Sequence, residues 1–345
     1  MGERALSLVQ YGIATAGHGV AHTATRMALK VVEPMSPDRV PSFPEEDFGA
    51  RAKSLRSWIG QHMVSDTLTF EEAYFEMLPF VFSCGLVGAV TATGTATGTA
   101  GLNMYNWHFP VAMNALNTPD SFTLEKADDV VNYECDYGMF ERINIKGTIN
   151  QGSEVSAVTV TADFFAREWT TAAPTAVLPI AVTPLNAKLA TLDIDALWDD
   201  LGDTEMESTL RGFDVDIITG LHPKMLGSAL KTFDIHAEGI VHVTSAFTFE
   251  GNALANIEYG HYLTQTARAY RLSLGNPATF TPNGRASLCQ IDVFGRWREV
   301  IPFADEDRGN NLFTLVHESM LDPTHYVAAG GDMLDITVQT SIGVV

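Results

Sequence analysis

GMFERINIKGTINQGSEVSAVTVTADFFAREW, residues 138–169, decides the fold. Within it INIKGTI (143–149) and VSAVTVTADFF (155–165) are short runs rich in Val, Ile, Thr and Phe. Apolar and polar residues partly alternate along them, the two-residue period of half-buried strands. Similar runs precede this stretch, LKVVEP (29–34) and SFTLEK (121–126). Others follow: DVDIITG (214–220), FDIHAEGIVHVTSAFTF (233–249), AYRLSL (269–274), SLCQIDVFG (287–295), FTLVHES (313–319) and MLDITVQTSI (333–342). The expected fold class is mainly β, mostly antiparallel.

Helical signals are fewer. TFEEAYFEMLPF offers Thr69 as an N-cap and Glu72 at the third helical position, with Phe70, Ala73, Tyr74 and Met77 at helical spacing. DIDALWDDLGD (193–203) sets Leu197 and Leu201 four apart among acidic residues, with Gly202 as a stop. PEEDFGARAKSLRSWIGQHM (44–63) is a third candidate, interrupted by Gly49. Prolines at 34, 37, 41 and 44 predict a long extended loop. TTAAPTAVLPIAVTPLNAK (170–188) reads as a linker, which places two related β domains at 1–175 and 176–345. A comparison of 138–169 with SALKTFDIHAEGIVHVTSAFTFEGN (228–252) supports a degenerate duplication, in which Ile143 and Ile145 correspond to Phe233 and Ile235.

Composition narrows the function. Charged residues are only 18% of the 345, below the roughly 25% usual for soluble domains, so much of the surface is neutral or covered by partners. Twenty-one Lys and Arg face 42 Asp and Glu, a formal charge of -21, which argues against wrapping nucleic acid. The three cysteines, Cys84, Cys135 and Cys289, lie far apart and predict reduced thiols rather than a disulfide framework or a zinc site. The first residues lack the pattern of a signal peptide, and Leu6 stands where N-acylation needs Ser or Thr. The longest apolar run, about residues 80–90, is shorter than the roughly 20 residues of a membrane span, so no membrane partner is expected.

TATGTATGTAG (91–101) invites a phosphate-cradle reading, but Leu102, Asn103 and Met104 follow Gly101 where Lys and Ser or Thr should stand. No Lys or Arg occurs between Arg56 and Lys126. The stretch reads instead as a loop from a helix to the strand-like NMYNWHFP, ordered by contact with a neighbour. His18 and His22 lack the Glu of a zinc-protease helix, and His236, Glu238 and His242 are better read as packed strand positions than as metal ligands. Asp193, Asp195, Asp199, Asp200 and Asp203 miss the calcium-loop pattern at Leu197 and Trp198. Ser83-Cys84-Gly85 has no His or Asp partner at family spacing, and the pairs Glu45-Glu46 and Asp305-Glu306 read as solvated turns. The expectation is a protein that is not an enzyme and needs no cofactor.

The run TPDSFTLEKADDVVNYECDYGMFERINIKGTINQGSEVSAVTVTADFFARE (118–168) resembles the central segment of the tail tube proteins, or major tail proteins, of long-tailed bacteriophages. SLCQIDVFGRWREVIPFADEDRGNNLFTLVHESMLDPTHYVAAGGDMLDITVQTSI (287–342) is similar to their end, and QYGIATAGHGVAHTATRMALKVVEP (10–34) to their opening. The resemblance implies a β-sandwich or barrel tube fold with one or two flanking helices, whose subunits form rings stacked into a hollow conduit for viral DNA. It places the protein in the virion tail, made in the host cytoplasm. The partners it implies are further copies of the chain, as a ring hexamer of one-domain subunits or a trimer of two-domain subunits. Tape-measure, tail-terminator and tail-tip proteins would follow, with DNA passing unbound.

A lumen for DNA should be polar and rich in carboxylate. Candidates for it are Asn144 and Thr148 on one strand, Thr159, Thr161 and Asp163 on the next, and Asp234 and Glu238 in the second copy; Lys146 interrupts the pattern. An ordinary solvated sheet face explains the same alternation equally well. Pro37, Pro41, Pro44, Thr95, Gly98 and Gly101 mark candidate contact loops between subunits or rings. Another virion component, a terminator or decoration protein, and a carbohydrate-binding or hydrolytic β-sandwich stay open as alternatives. Scattered tryptophans at 58, 107, 169, 198 and 297 count against the last.

Overall fold

The computed structural model describes residues 7–14, 17–29, 31–32, 41–46, 53–54, 56–60, 62–96, 103–128, 130–150, 155–206, 209–275, 287–307, 309–323 and 333–344. The first half holds β1 (Leu8–Ala14), β2 (Arg26–Ala28), β3 (Val31–Val32), β4 (Pro41–Ser42), β5 (Trp58–Ile59), β6 (Val64–Phe70), α1 (Leu78–Gly85), β7 (Thr93–Ala96), β8 (Asn103–Pro110), β9 (Ser121–Ala127), β10 (Asn132–Thr148), β11 (Val158–Ala166) and β12 (Thr170–Thr171). The second holds β13 (Ala190–Asp195), β14 (Leu210–Ile218), β15 (Leu221–Lys224), β16 (Ile235–Glu238), β17 (His242–Glu250), α2 (Ala253–Thr264), β18 (Arg268–Leu274), β19 (Leu288–Asp307), β20 (Asn310–Ser319) and β21 (Leu334–Thr340). The protein is mainly β with two flanking helices, and its paired strands are antiparallel.

The second half repeats the pairing plan of the first. β1, β9, the start of β10 and β12 lie side by side, as do β13, β18, the start of β19 and β21. β3, β6, β11 and the end of β10 make a second layer, matched by β14, β17, β20 and the end of β19. In each unit one long strand bends from the first layer into the second, and a helix follows the strand of the second layer that closes on Thr-Phe, with Glu next in the chain. Registers agree at matching positions, apart from a shift between Ile301 and Asp305 that only β19 carries. Thr69 and Phe70 face Thr161 and Val160, as Thr248 and Phe249 face Thr314 and Phe313. Arg142 and Ile143 face Asp163 and Ala162, as Glu299 and Val300 face Val316 and Leu315. A register shift follows Phe140 in one unit and Trp297 in the other.

The bend falls at a glycine each time. Gly138 pairs with Phe122 of β9, and the next residue pairs with β11; Gly295 pairs with Arg268 of β18 and with Ser319 of β20. A Cβ on Gly138 would lie 2.3 Å from the Phe122 ring, and one on Gly295 2.0 Å from the Glu318 carbonyl oxygen, so both strands cross a neighbour too closely for any other residue. The units therefore share the local sequence aromatic-Gly-x-aromatic: Tyr137-Gly138-Met139-Phe140 and Phe294-Gly295-Arg296-Trp297. This corrects the duplication register expected from sequence. Ile143 corresponds to Val300, while Phe233 lies outside any strand and Ile235 belongs to β16, which pairs with β15.

The units meet edge to edge. Arg142–Thr148 of β10 pair with Gly212–Ile218 of β14, a seam of main-chain hydrogen bonds. β8 adds to the edge of β21, so a hairpin from the first unit completes a layer of the second. One hydrophobic cluster takes in residues of both units. The position 175/176 falls in an extended stretch, 172–183, between β12 and β13.

Several elements differ from expectation. Thr69 caps no helix: it sits in β6 opposite Thr161, and the helix is α1, starting with Pro79 in its first turn and buried on all sides. Residues 193–203 form the end of β13 and a short 3-10 turn, Trp198–Asp200, because Leu192 and Ile194 are buried against β18 and the Asp195 carboxylate accepts the Gly202 N–H at 3.1 Å. In 44–63, Trp58–Ile59 is a strand paired with Pro41–Ser42, so Pro41 lies in regular structure after all. Within TATGTATGTAG, Thr93–Ala96 is a strand and not a loop, paired with Asn103–Asn106, and 97–102 lie outside the described residues. Asp305 and Glu306 belong to β19 and not to a turn. Sequence reading missed α2, whose signals are Asn252, accepting the Ala255 N–H at 2.8 Å, and a left-handed Gln265 (φ 53°) at its end.

Candidate functional site

The outer face of the second layer runs unbroken across the seam. Apolar residues of β10 and β11 point into the core, so the alternate positions must point out. Asn144, Thr148, Thr159, Thr161 and Asp163 all share this outer face, with Arg142 and Lys146 among them. Beyond the seam it continues through Asp214 and Asp216 of β14, Thr244 and Thr248 of β17, and Thr314 and Glu318 of β20. These were not foreseen, although the alternation Asp214-Val215-Asp216-Ile217 carried the signal, with Val215 and Ile217 fully buried.

Arg142, Lys146 and Arg298 on the face are held by carboxylates. Arg142 donates to Asp216 from Nε at 2.7 Å and Nη2 at 3.1 Å, and Asp163 lies 3.8 Å away. Those bonds and charges hold the guanidinium above its usual pKa. Lys146, which seemed to break the polar pattern, reaches Asp214 at 3.3 Å, and Asn144 donates to the same carboxylate at 2.6 Å. Thr67 donates to Asp163 at 2.6 Å, and Glu318 takes Arg298 at 3.0 Å and His242 at 2.9 Å. The result is a hydrogen-bonded, acidic-to-neutral surface.

Asp234 and Glu238 do not join it. Asp234 accepts the Leu226 N–H within its own loop at 2.7 Å. Glu238, on β16, accepts the N–H groups of Asn117 and Thr118 at 2.7 and 3.0 Å. They were misplaced because β16 is not the counterpart of β10. His236, Glu238 and His242 have separate partners, since Tyr137 lies 3.0 Å from His236 and Glu318 pairs with His242. Among the described residues no three such side chains converge on one metal position. Of the contact-loop candidates, Pro37, Gly98 and Gly101 lie outside the described residues, Pro41 is in β4, Pro44 is in irregular chain and Thr95 is in β7 opposite Met104.

A second polar centre is buried. In the first unit Phe80 of α1 packs on Phe122 and Phe140 at ring distances of 5.2 Å each, with Phe164 beside Phe122 at 5.6 Å. The matching strand places in the second unit hold Arg268, Trp297 and His317, and Glu258 of α2 lies against them. Arg268 donates twice to Glu258, at 2.7 and 3.1 Å, and the Trp297 indole donates to it at 2.8 Å. His317 donates from Nε2 to the Arg268 carbonyl at 3.1 Å, and burial lowers its pKa to about 4. A sealed network of this kind orders a core and offers no access to a substrate. An open cleft of about 580 Å³ pairs His62 with Glu168 at 2.8 Å and Arg167 with Asp136 at 3.7 Å, and Glu134 and Lys231 also line it.

Of the five tryptophans only Trp58 is largely exposed, so they form no stacking platform for a sugar. No helix among the described residues is long and apolar enough to cross a membrane. Comparison with known protein families and with curated proteins finds no match.

Proposed function

We propose that the chain is a structural subunit of a viral tail tube, polymerising into stacked rings whose bore carries DNA. The observation that carries this reading is the outer face of the second layer, mostly polar and continuous across two edge-joined units, with Arg142, Lys146 and Arg298 each paired to carboxylate. A face with most of its cations held by carboxylates repels phosphate. The sequence resemblance supports the same reading.

Strand count sets the ring. Each chain contributes eight strands to this layer: β3, β6, β11, β10, β14, β17, β20 and β19. With about 4.8 Å between strands and a tilt of about 40°, two copies would close at a backbone diameter of about 32 Å, which side chains reduce to about the width of the duplex itself. Three copies reach about 48 Å, leaving a bore of roughly 36 Å in which duplex DNA passes with water around it. The reading is therefore a trimer of two-unit chains, which meets its neighbours through the remaining edges.

Negative-stain electron microscopy of the purified protein tests it. Hollow tubes, or rings of three-fold or pseudo-six-fold symmetry, are expected; a monodisperse monomer at high concentration rejects the reading.

A further inference from the structure

The chain contains one seam between its units and two edges that would form another. In the internal seam the end of β10 pairs with β14, and the arm β15–β16 lies across the first unit. Leu221 and Phe233 of that arm are buried with Tyr137, Met139 and Phe165, and Glu238 caps the 117–118 turn. The counterpart of β10 is the end of β19, which beyond Gly295 has β20 on one side and no ladder on the other among the described residues. The counterpart of β14 is β3, at the far edge of the first unit. The counterpart of the β15–β16 arm is β4–β5, a two-stranded arm inserted at the same point between β3 and β6.

These counterparts carry unpartnered apolar surface. Trp58 is 60% exposed and Phe43 55% on the β4–β5 arm, and Phe303 is 70% exposed on the β19 edge with Ile301 close by. An exposed strand edge with apolar side chains is a site for another chain. We infer that a second copy of this chain occupies both surfaces, repeating the internal seam between molecules. The β3 edge of one copy lies against the free edge of β19 in the next, and its β4–β5 arm crosses that copy's second unit.

On the receiving unit, exposed Arg296 stands where Met139 stands in the internal seam, a guanidinium able to stack on the Trp58 indole. Pro34 and Pro37 follow β3 in sequence and have no N–H to donate, so the arm must carry more of this contact than of the internal one. The contact is head to tail, and such a contact closes into a ring if its rotation allows. The inference deepens the tube reading by naming the interface, yet it rests on the repeat and stands without a tube.

Gly212 faces Thr148 in the internal seam, and their counterparts are Val32 and Asp307. The double variant V32C/D307C should therefore form disulfide-linked oligomers under mild oxidation, while K146C/D214C, across the internal seam, crosslinks within one chain. The native cysteines are buried and do not compete. Adding Trp58→Asp should lower the intermolecular yield by more than about tenfold, as loss of an aromatic anchor does, with the monomer's thermal midpoint unchanged. Rings or tubes without the V32C/D307C crosslink would overturn this interface and leave the tube reading standing. Crosslinked oligomers without tubes would support the interface and reject the tube. A monomer that neither crosslinks nor assembles would overturn both.

Discussion

Arg142 reaches across the seam between the two units to Asp216, with hydrogen bonds of 2.7 and 3.1 Å to its two carboxylate oxygens. The pair crosses the internal seam, yet Arg142 is half exposed, where an ion pair is worth about 0.2–1 kcal/mol. The ladder beneath it, Arg142–Thr148 against Gly212–Ile218, is main chain and insensitive to side-chain identity. Arg142→Ala is expected to lower the unfolding free energy by less than about 1 kcal/mol and leave the units joined. A double-mutant cycle with Asp216→Ala, read by urea unfolding, checks it; a coupling of several kcal/mol would give the pair a larger part than the ladder.

Gly138 and Gly295 tolerate no side chain, but for different reasons. The obstacle at 138 is the Phe122 ring, which can shift; at 295 it is the backbone oxygen of Glu318, which cannot move without breaking the ladder. Gly138→Ala should cost roughly 1–3 kcal/mol, and Gly295→Ala more. Urea midpoints give the order directly, and equal losses would contradict it.

Glu258 is buried with the Arg268 guanidinium and the Trp297 indole as its donors. Glu258→Leu alone strands a buried guanidinium, a loss of about 3–5 kcal/mol. Adding Arg268→Phe restores the kind of packing the first unit has at Phe122, and the double variant should recover most of that loss. Chemical denaturation of the three proteins checks the prediction; a double variant as unstable as the single would show that the network also sets the shape of this core.

His317 links stability to pH. Its folded pKa of about 4 lies below the ordinary value of 6.5, so the unfolded chain takes up the proton first. Its contribution is therefore complete above pH 6.5 and lost as pH falls toward 4, a loss of up to roughly 3 kcal/mol. The groups around it are the Arg268 carbonyl and the Tyr270 and Trp297 rings, with Arg268 and Glu258 beyond. Buried Glu76, its pKa raised by desolvation, acts oppositely, its stabilisation being lost as pH rises above 4.5. Comparing the wild type with His317→Phe, the residue type at Phe164, isolates the histidine: the slope of unfolding free energy between pH 4 and 6.5 should flatten in the variant.

Much of this molecule was legible in the one-dimensional pattern. Alternation in INIKGTI and VTVTADFF is a local consequence of the pleat, and it placed Asn144, Thr148, Thr159, Thr161 and Asp163 together on one outer face. Prolines and small residues leave 172–183 outside any ladder, between β12 and β13. The sequence also held the tandem repeat, in Tyr-Gly-Met-Phe and Phe-Gly-Arg-Trp, but four residues 157 positions apart do not announce a shared bend. Only pairing revealed it, because what is repeated is which strand lies beside which. Tertiary structure alone decided that Thr69 is strand and that Leu197 belongs to no helix, since ladders with β11 and β18 override local propensity. It decided too that Asp234 and Glu238 leave the polar face for turns, where their carboxylates find unpaired N–H groups. Local order follows from residue type, whereas the seam, the bends and the spare edges follow from contacts between residues far apart in the chain.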